Sequence, residues 1–209
     1  MGWLGRIAGD GPPGAEVSPD VDEADGSRGE ERTSLGLKAL FDGVVRDDAH
    51  SVLDLGRASS SSFGVYGRYA RRIRFADLLR PERRPDLDAA LAASVPPQPD
   101  HPYDLILAWD LLDRIAASQR EAVVRRLAEL SAPRARIHVL VEASDQAEVR
   151  QFRFAVLEED KVRYEPAGPD RPAGDRLLPA EVERLLDPWE VVRAFTSRSG
   201  MREYVGILR

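Results

Sequence analysis

Cysteine is absent from the 209 residues. That excludes disulfides, thiolate metal sites and a cysteine nucleophile. Histidine is scarce: His50, His101 and His138 are the only three, and no two stand at ligand spacing such as i, i+4, so no metal site is expected. No apolar run approaches 18 residues, and the N-terminus has no apolar core of a signal peptide, so a soluble cytoplasmic protein with no membrane partner is expected. Lysine is nearly missing, with only Lys38 and Lys161; the other basic residues are arginine. Together with abundant Ala, Pro and Gly, that bias reflects a GC-rich coding sequence and lowers the information in any arginine cluster. There are no internal repeats.

What is present is the composition of a globular domain, 43% hydrophobic and 32% charged. Residues 1–33 are different. They hold eight acids and three arginines, which is −5 of the chain's −6, and few apolar groups. Such a stretch cannot bury enough surface to offset its ordering entropy, so 1–33 is predicted as a disordered acidic tail, with Trp3, Leu4 and Ile7 as one apolar turn. A single α/β domain is predicted over 34–209.

The pattern in that domain alternates. A helix begins near Ser34, with Leu37, Leu40, Phe41, Val44 and Val45 on one face. A strand follows at 51–55, then a turn at Gly56, four serines and a helix predicted over 60–71. Arg72–Ala76 is a second strand ending on Asp77. Asp86–Ser94 predicts a short helix, and Val95 marks at most a very short third strand. Tyr103–Trp109 (YDLILAW) is a continuous apolar run, as expected of a central parallel strand covered on both faces. Leu111–Ala117 predicts a short helix, Ser118 and Glu121 a capping box opening another, and Ile137–Val141 the next buried strand. Arg153–Tyr164 has hairpin alternation around a turn at Glu158–Asp160. A helix starting at Pro179 precedes two closing strands, Glu190–Phe195 and Met201–Leu208, around Gly200.

This order, with Asp54-Leu55-Gly56-Arg57-Ala58-Ser59-Ser60 at the end of the first strand and Asp77 at the end of the second, resembles the class I S-adenosylmethionine-dependent methyltransferases over about residues 35–209. The resemblance implies a Rossmann-like, mostly parallel sheet with a C-terminal antiparallel β-hairpin; the 153–164 hairpin is an extra insertion. The family's first motif is an acid, then three glycines at alternate positions. Asp54 and Gly56 keep its first two elements, while Ala58 and Ser60 replace the later glycines. The resemblance implies S-adenosylmethionine as cofactor. Asp54, Gly56, Ala58 and Ser60 would lie along its amino-acid part, Asp77 would accept from the ribose hydroxyls, and Trp109 would wall the pocket. Asp110, after the fourth strand, is the candidate general base. The family's Leu-x-Pro-Gly-Gly turn stands here as Ser131–Arg136, with Pro133 kept and both glycines gone. Asp88 and Asp100 are candidates for the acid that touches adenine.

Each residue also has a plainer assignment. Asp54 could serve only to anchor the turn. Asp77 and Asp110 could be helix caps, and Trp109 core. Ser59–Ser62 could form an anion nest or simply an N-cap. Arg68, Arg71, Arg72, Arg74, Arg80, Arg83 and Arg84 form a basic cluster, but the domain after the tail is about −1 net, so a solvated face is expected and nucleic acid is not expected as a partner. Two functions follow: methyl transfer to a small-molecule or protein acceptor, or a catalytically inactive relative acting as a binding or regulatory module.

Overall fold

The computed structural model describes residues 29–47, 49–78, 101–143, 148–172, 176–197 and 200–209. The expected helix at 86–94, the third strand, Asp88, Asp100 and the tail up to residue 28 lie outside the described residues.

The main sheet has six strands in the order β10-β11-β5-β4-β2-β3. They are β2 (His50–Asp54), β3 (Ala70–Phe75), β4 (Tyr103–Trp109), β5 (Ser131–Glu142), β10 (Trp189–Thr196) and β11 (Met201–Leu208). The β2–β3, β2–β4 and β4–β5 pairs are parallel. β11 is antiparallel to both β5 and β10, so β10 runs with the parallel strands. The fold is therefore the expected Rossmann-like sheet with a terminal antiparallel hairpin.

Both faces of this sheet are covered, and the period-two alternation of strand side chains builds two cores. On one face Leu53, Ile106, Ile137, Val139 and Val141 meet three helices: α3 (Leu111–Arg114), α4 (Ala117–Glu129) and α5 (Pro179–Leu185). On the other, Val52, Leu105, Leu107 and Leu140 meet α1 (Leu35–Phe41) and α2 (Ser60–Tyr66). The same second core takes in Phe154, Val156, Val162 and Tyr164 from β7 (Phe152–Glu158) and β8 (Lys161–Pro166), the extra hairpin. A two-stranded pair, β6 (Glu148–Val149) with β9 (Arg171–Pro172), flanks it.

Several expectations are corrected. Glu30–Thr33, assigned to the tail, forms β1, antiparallel to β8. The Arg32 guanidinium lies 4.4 Å over the Tyr164 ring, so this polar segment draws its order from a partner strand and a cation–π contact rather than from its own side chains. The helix expected over 60–71 stops at Tyr66, because Gly67 ends it and Tyr69–Ala70 are captured by β2, with His50 N donating to Tyr69 O at 3.2 Å. α1 ends at Phe41, leaving Val45 62% exposed. The capping box at Ser118 does not form. α4 starts one residue earlier with no side-chain cap.

Candidate functional site

β2 has β3 on one side and β4 on the other. The chain leaves β2 in one direction and returns on the opposite side, so the crevice outside the carboxyl ends of β2 and β4 is the topological switch point. Open α/β sheets bind ligands there. The residues at that crevice are Asp54, Gly56, Asp77 and Trp109.

Asp54 ends β2 and is 1% exposed. Its Oδ1 accepts from Gly56 N at 2.8 Å and from the Trp109 indole Nε1 at 2.5 Å; its Oδ2 accepts from the Tyr66 hydroxyl at 2.7 Å. The backbone ties the turn to β3: Ala76 N donates to Asp54 O at 2.8 Å, Asp77 N to Gly56 O at 3.0 Å and Leu78 N to Leu55 O at 2.9 Å. On the other side Leu55 N donates to Leu107 O of β4 at 3.0 Å. The half-buried Asp77 therefore sits beside the glycine turn by backbone bonding, in the register expected from the sequence.

The backbone is unusual at this end of the sheet. Among the described residues the non-glycine positions with positive φ are Asp77 (44°), Trp109 (50°) and Arg134 (66°). The first follows β3 and the second ends β4, the two parallel strands that flank β2 at the crevice. Such strain gathers where surrounding contacts over-determine it. Ala58 and Ser60 are not among these positions, so their Cβ atoms carry no left-handed penalty. Both are exposed. The serine run resolves as a cap: Ser59 Oγ accepts from Ser62 N at 3.1 Å. Ser62 Oγ in turn accepts from Val156 N at 2.9 Å, clamping the hairpin onto α2.

Burial pushes the Asp54 carboxyl up to about 6, against the pull of hydrogen bonds from Tyr66, Trp109 and Gly56 and of nearby His138. The Tyr66 hydroxyl is raised as well, by burial and by the Asp54 charge. Asp54 thus anchors three donors at the turn while keeping the motif's register.

Asp110 does not cap α3 through its side chain. Its Oδ2 lies 2.6 Å from Arg114 Nη2, with the two side chains 9% and 5% exposed. Arg114 Nη2 also donates to Phe152 O at 2.6 Å, linking α3 to the hairpin. Trp109 is fully buried; Phe154 stacks on it at 4.9 Å with 5° between planes, and His138 meets it edge-on at 5.9 Å. Behind them His138 Nε2 lies 3.2 Å from Glu203 Oε2, which also accepts from Gly36 N at 3.0 Å and from Ser34 Oγ. Although burial acts to raise Glu203, His138, Ser34 and Gly36 hold its carboxyl below the ordinary range.

Four residues singled out from sequence, Asp54, Gly56, Asp77 and Trp109, come together. Asp110 is adjacent but ion-paired, Ala58 stands on the exposed part of the turn, and Ser60 is the exposed first residue of α2. Tyr66, Phe154, His138 and Glu203 carry no local signal, because their roles arise from contacts 12 to 169 residues distant. Of the basic cluster, Arg68 Nη1 pairs with Glu159 at 3.3 Å, while Arg80, Arg83 and Arg84 lie outside the described residues. Among the described residues no three His, Asp or Glu gather as a metal site, and no helix is long and apolar enough to cross a membrane. A cavity of about 540 Å³ opens between α4 and α5 beside Arg125 and Arg184; it shares no lining residue with this constellation.

No family model and no curated protein matches the sequence. Solved structures do match the fold. A 1,6-didemethyltoxoflavin-N1-methyltransferase from Burkholderia thailandensis, with bound 1,6-didemethyltoxoflavin and S-adenosylhomocysteine, superposes with a TM-score of 0.50 at 14% identity, covering 83% of this chain and 76% of that one. A TehB-like SAM-dependent methyltransferase from Corynebacterium glutamicum gives 0.49 at 13% identity, covering 83% and 88%. The glycopeptide N-methyltransferase MtfA, complexed with sinefungin, gives 0.45 at 13% identity, covering 83% and 94%. The chain has the class I methyltransferase-like fold.

Proposed function

We propose that this chain binds S-adenosylmethionine at the carboxyl ends of β2, β3 and β4 and belongs functionally with methyltransferases acting on a small-molecule or protein acceptor. The observation that supports this is the bond from Asp77 N to Gly56 O at 3.0 Å. It sets the acid that ends the second strand against the turn that ends the first, at the switch point. A half-buried carboxylate there can accept from two vicinal hydroxyls of a ribose. The exposed Arg57 and Ala58 leave that side of the turn accessible.

The fit is uneven along the site. Arg57 and Ala58 are exposed, whereas at Gly56 the space a Cβ would take is lined at 3.0 Å by Asp54 Oδ1 and Trp109 Nε1. Bound S-adenosylmethionine supplies an electrophilic methyl group on a sulfonium. This chain's own contribution is positioning, which supplies much of the catalysis in an in-line displacement. Asp110, paired with Arg114, would orient neighbouring groups rather than accept a proton.

A second reading, a catalytically inactive member of the fold acting as a binding module, draws on one observation: the fully buried Trp109 indole on Asp54. Calorimetric titration of the full chain with S-adenosylmethionine and with S-adenosylhomocysteine separates the two. Heat and a rise in Tm with ligand support the first. No heat and no thermal shift at millimolar ligand favours the second.

A further inference from the structure

We propose that Trp109 is an intramolecular plug in the ligand crevice, held in place by Phe154 of the extra hairpin, and that an adenosyl ligand binds by displacing the indole. This rests on the ligand class proposed above. Position comes first. Trp109 ends β4 and Gly56 follows β2, so the indole lies across the switch-point crevice, where this sheet architecture receives ligands. Occupancy follows from distances. Built from the Gly56 backbone, a Cβ would stand 3.0 Å from Nε1 and 3.2 Å from Cδ1 of Trp109, so the face left open by the glycine is covered by the indole.

The indole also takes an acceptor position. Asp54 has about four lone-pair directions, and Gly56, Trp109 and Tyr66 use three. Leaving, the Trp109 N–H would free one of these acceptor directions for a ligand amine.

The plug is strained and propped. A tryptophan at φ 50° is an outlier for a bulky side chain and persists only under constraint. The constraint is visible: the bond to Asp54, the Phe154 stack and the His138 edge contact. Rotation about the side-chain torsions carries an indole between discrete staggered wells, so a second arrangement with Trp109 swung out is a discrete alternative. Phe154 belongs to the hairpin clamped to α2 through Val156 N and Ser62 Oγ, so hairpin seating and crevice opening are coupled.

The test uses the full chain and S-adenosylhomocysteine as probe. Phe154→Leu removes the stacking prop, Trp109→Phe keeps a ring but drops the N–H, and Trp109→Ala empties the crevice; far-UV circular dichroism confirms which variants fold. Each folded variant is expected to bind at least tenfold more tightly than wild type. In a Trp3→Phe, Trp189→Phe background, ligand is expected to shift Trp109 emission to the red. Wild type binding as tightly as the variants, with unmoved emission, overturns the plug and leaves the ligand reading intact. Absence of binding by wild type and by every folded variant removes the ligand reading and the plug together.

Discussion

The Trp109 indole donates to Asp54 Oδ1 at 2.5 Å and thereby joins the ends of β4 and β2, 55 residues apart in sequence, across the crevice between them. The same carboxylate gathers the turn through Gly56 and the following helix through Tyr66. One buried acid therefore fixes strand, turn, helix and neighbouring strand, and its ionisation is coupled to folding.

Asp54→Asn should change how stability depends on pH. The carboxyl has an ordinary value of 3.8 and about 6 when folded. A raised folded value means that the group's stabilising contribution is complete below pH ~4 and is lost as pH rises through ~6, roughly 3 kcal/mol in all. Asparagine keeps an oxygen for Gly56 and Trp109 and offers Tyr66 an N–H. The variant should lack that decline and match or exceed wild type at pH 7.5. Urea unfolding at pH 4, 5, 6 and 7.5 reads it; an unchanged profile would refute the coupling.

Arg114→Met should destabilise the chain by about 3–5 kcal/mol, because it breaks an ion pair whose two side chains are nearly buried. Asp110→Asn combined with Arg114→Met should recover most of the loss. A double variant as unstable as the single one would mean that Arg114 acts through Phe152 O instead. Chemical denaturation of both proteins decides between these.

Arg134→Gly should stabilise by about 1 kcal/mol. Arg134 is exposed and sits at φ 66°, where an L side chain other than glycine costs about 1–2 kcal/mol. The resemblance leads one to expect a glycine turn over Ser131–Arg136, but these residues open β5, and Arg134 sits where the pairing of β5 with β4 shifts register. A Tm at or below that of wild type would show that the arginine side chain stabilises this part of β5 by some other contact.

Asp77→Ala should weaken S-adenosylhomocysteine binding by about 1.5–3 kcal/mol, the range for a hydrogen bond to a charged group. Isothermal titration measures it, and equal affinities would remove Asp77 from the site.

The main sheet was legible because its strands carry their own pattern. Tyr103–Trp109 is apolar throughout, as a strand covered on both faces must be. Asp54, Gly56 and Asp77 were legible by register. β1 was not, since Glu30–Thr33 is polar and owes its strand to pairing with β8. Helix α2 was overextended because Arg68–Arg71 has no local signal of capture by a neighbouring strand. The Trp109–Phe154 stack was invisible for a related reason: it joins residues 45 positions apart through an insertion that no periodicity ties to β4. Trp109 was a candidate pocket wall; that it turns inward onto Asp54 depends on a backbone angle that sequence patterns do not encode.

Ser34 and Gly36, at the start of α1, bind Glu203 in β11, and β11 lies between β5 and β10. The order of synthesis matters here. A chain emerging from the ribosome makes α1, β2 and β4 long before the acid that seats α1 exists, and β5 waits with one edge bare. Native assembly of this side of the sheet is thus deferred until the last strand arrives. Until then the nascent chain carries a vacant strand edge, the feature that most invites pairing with another chain.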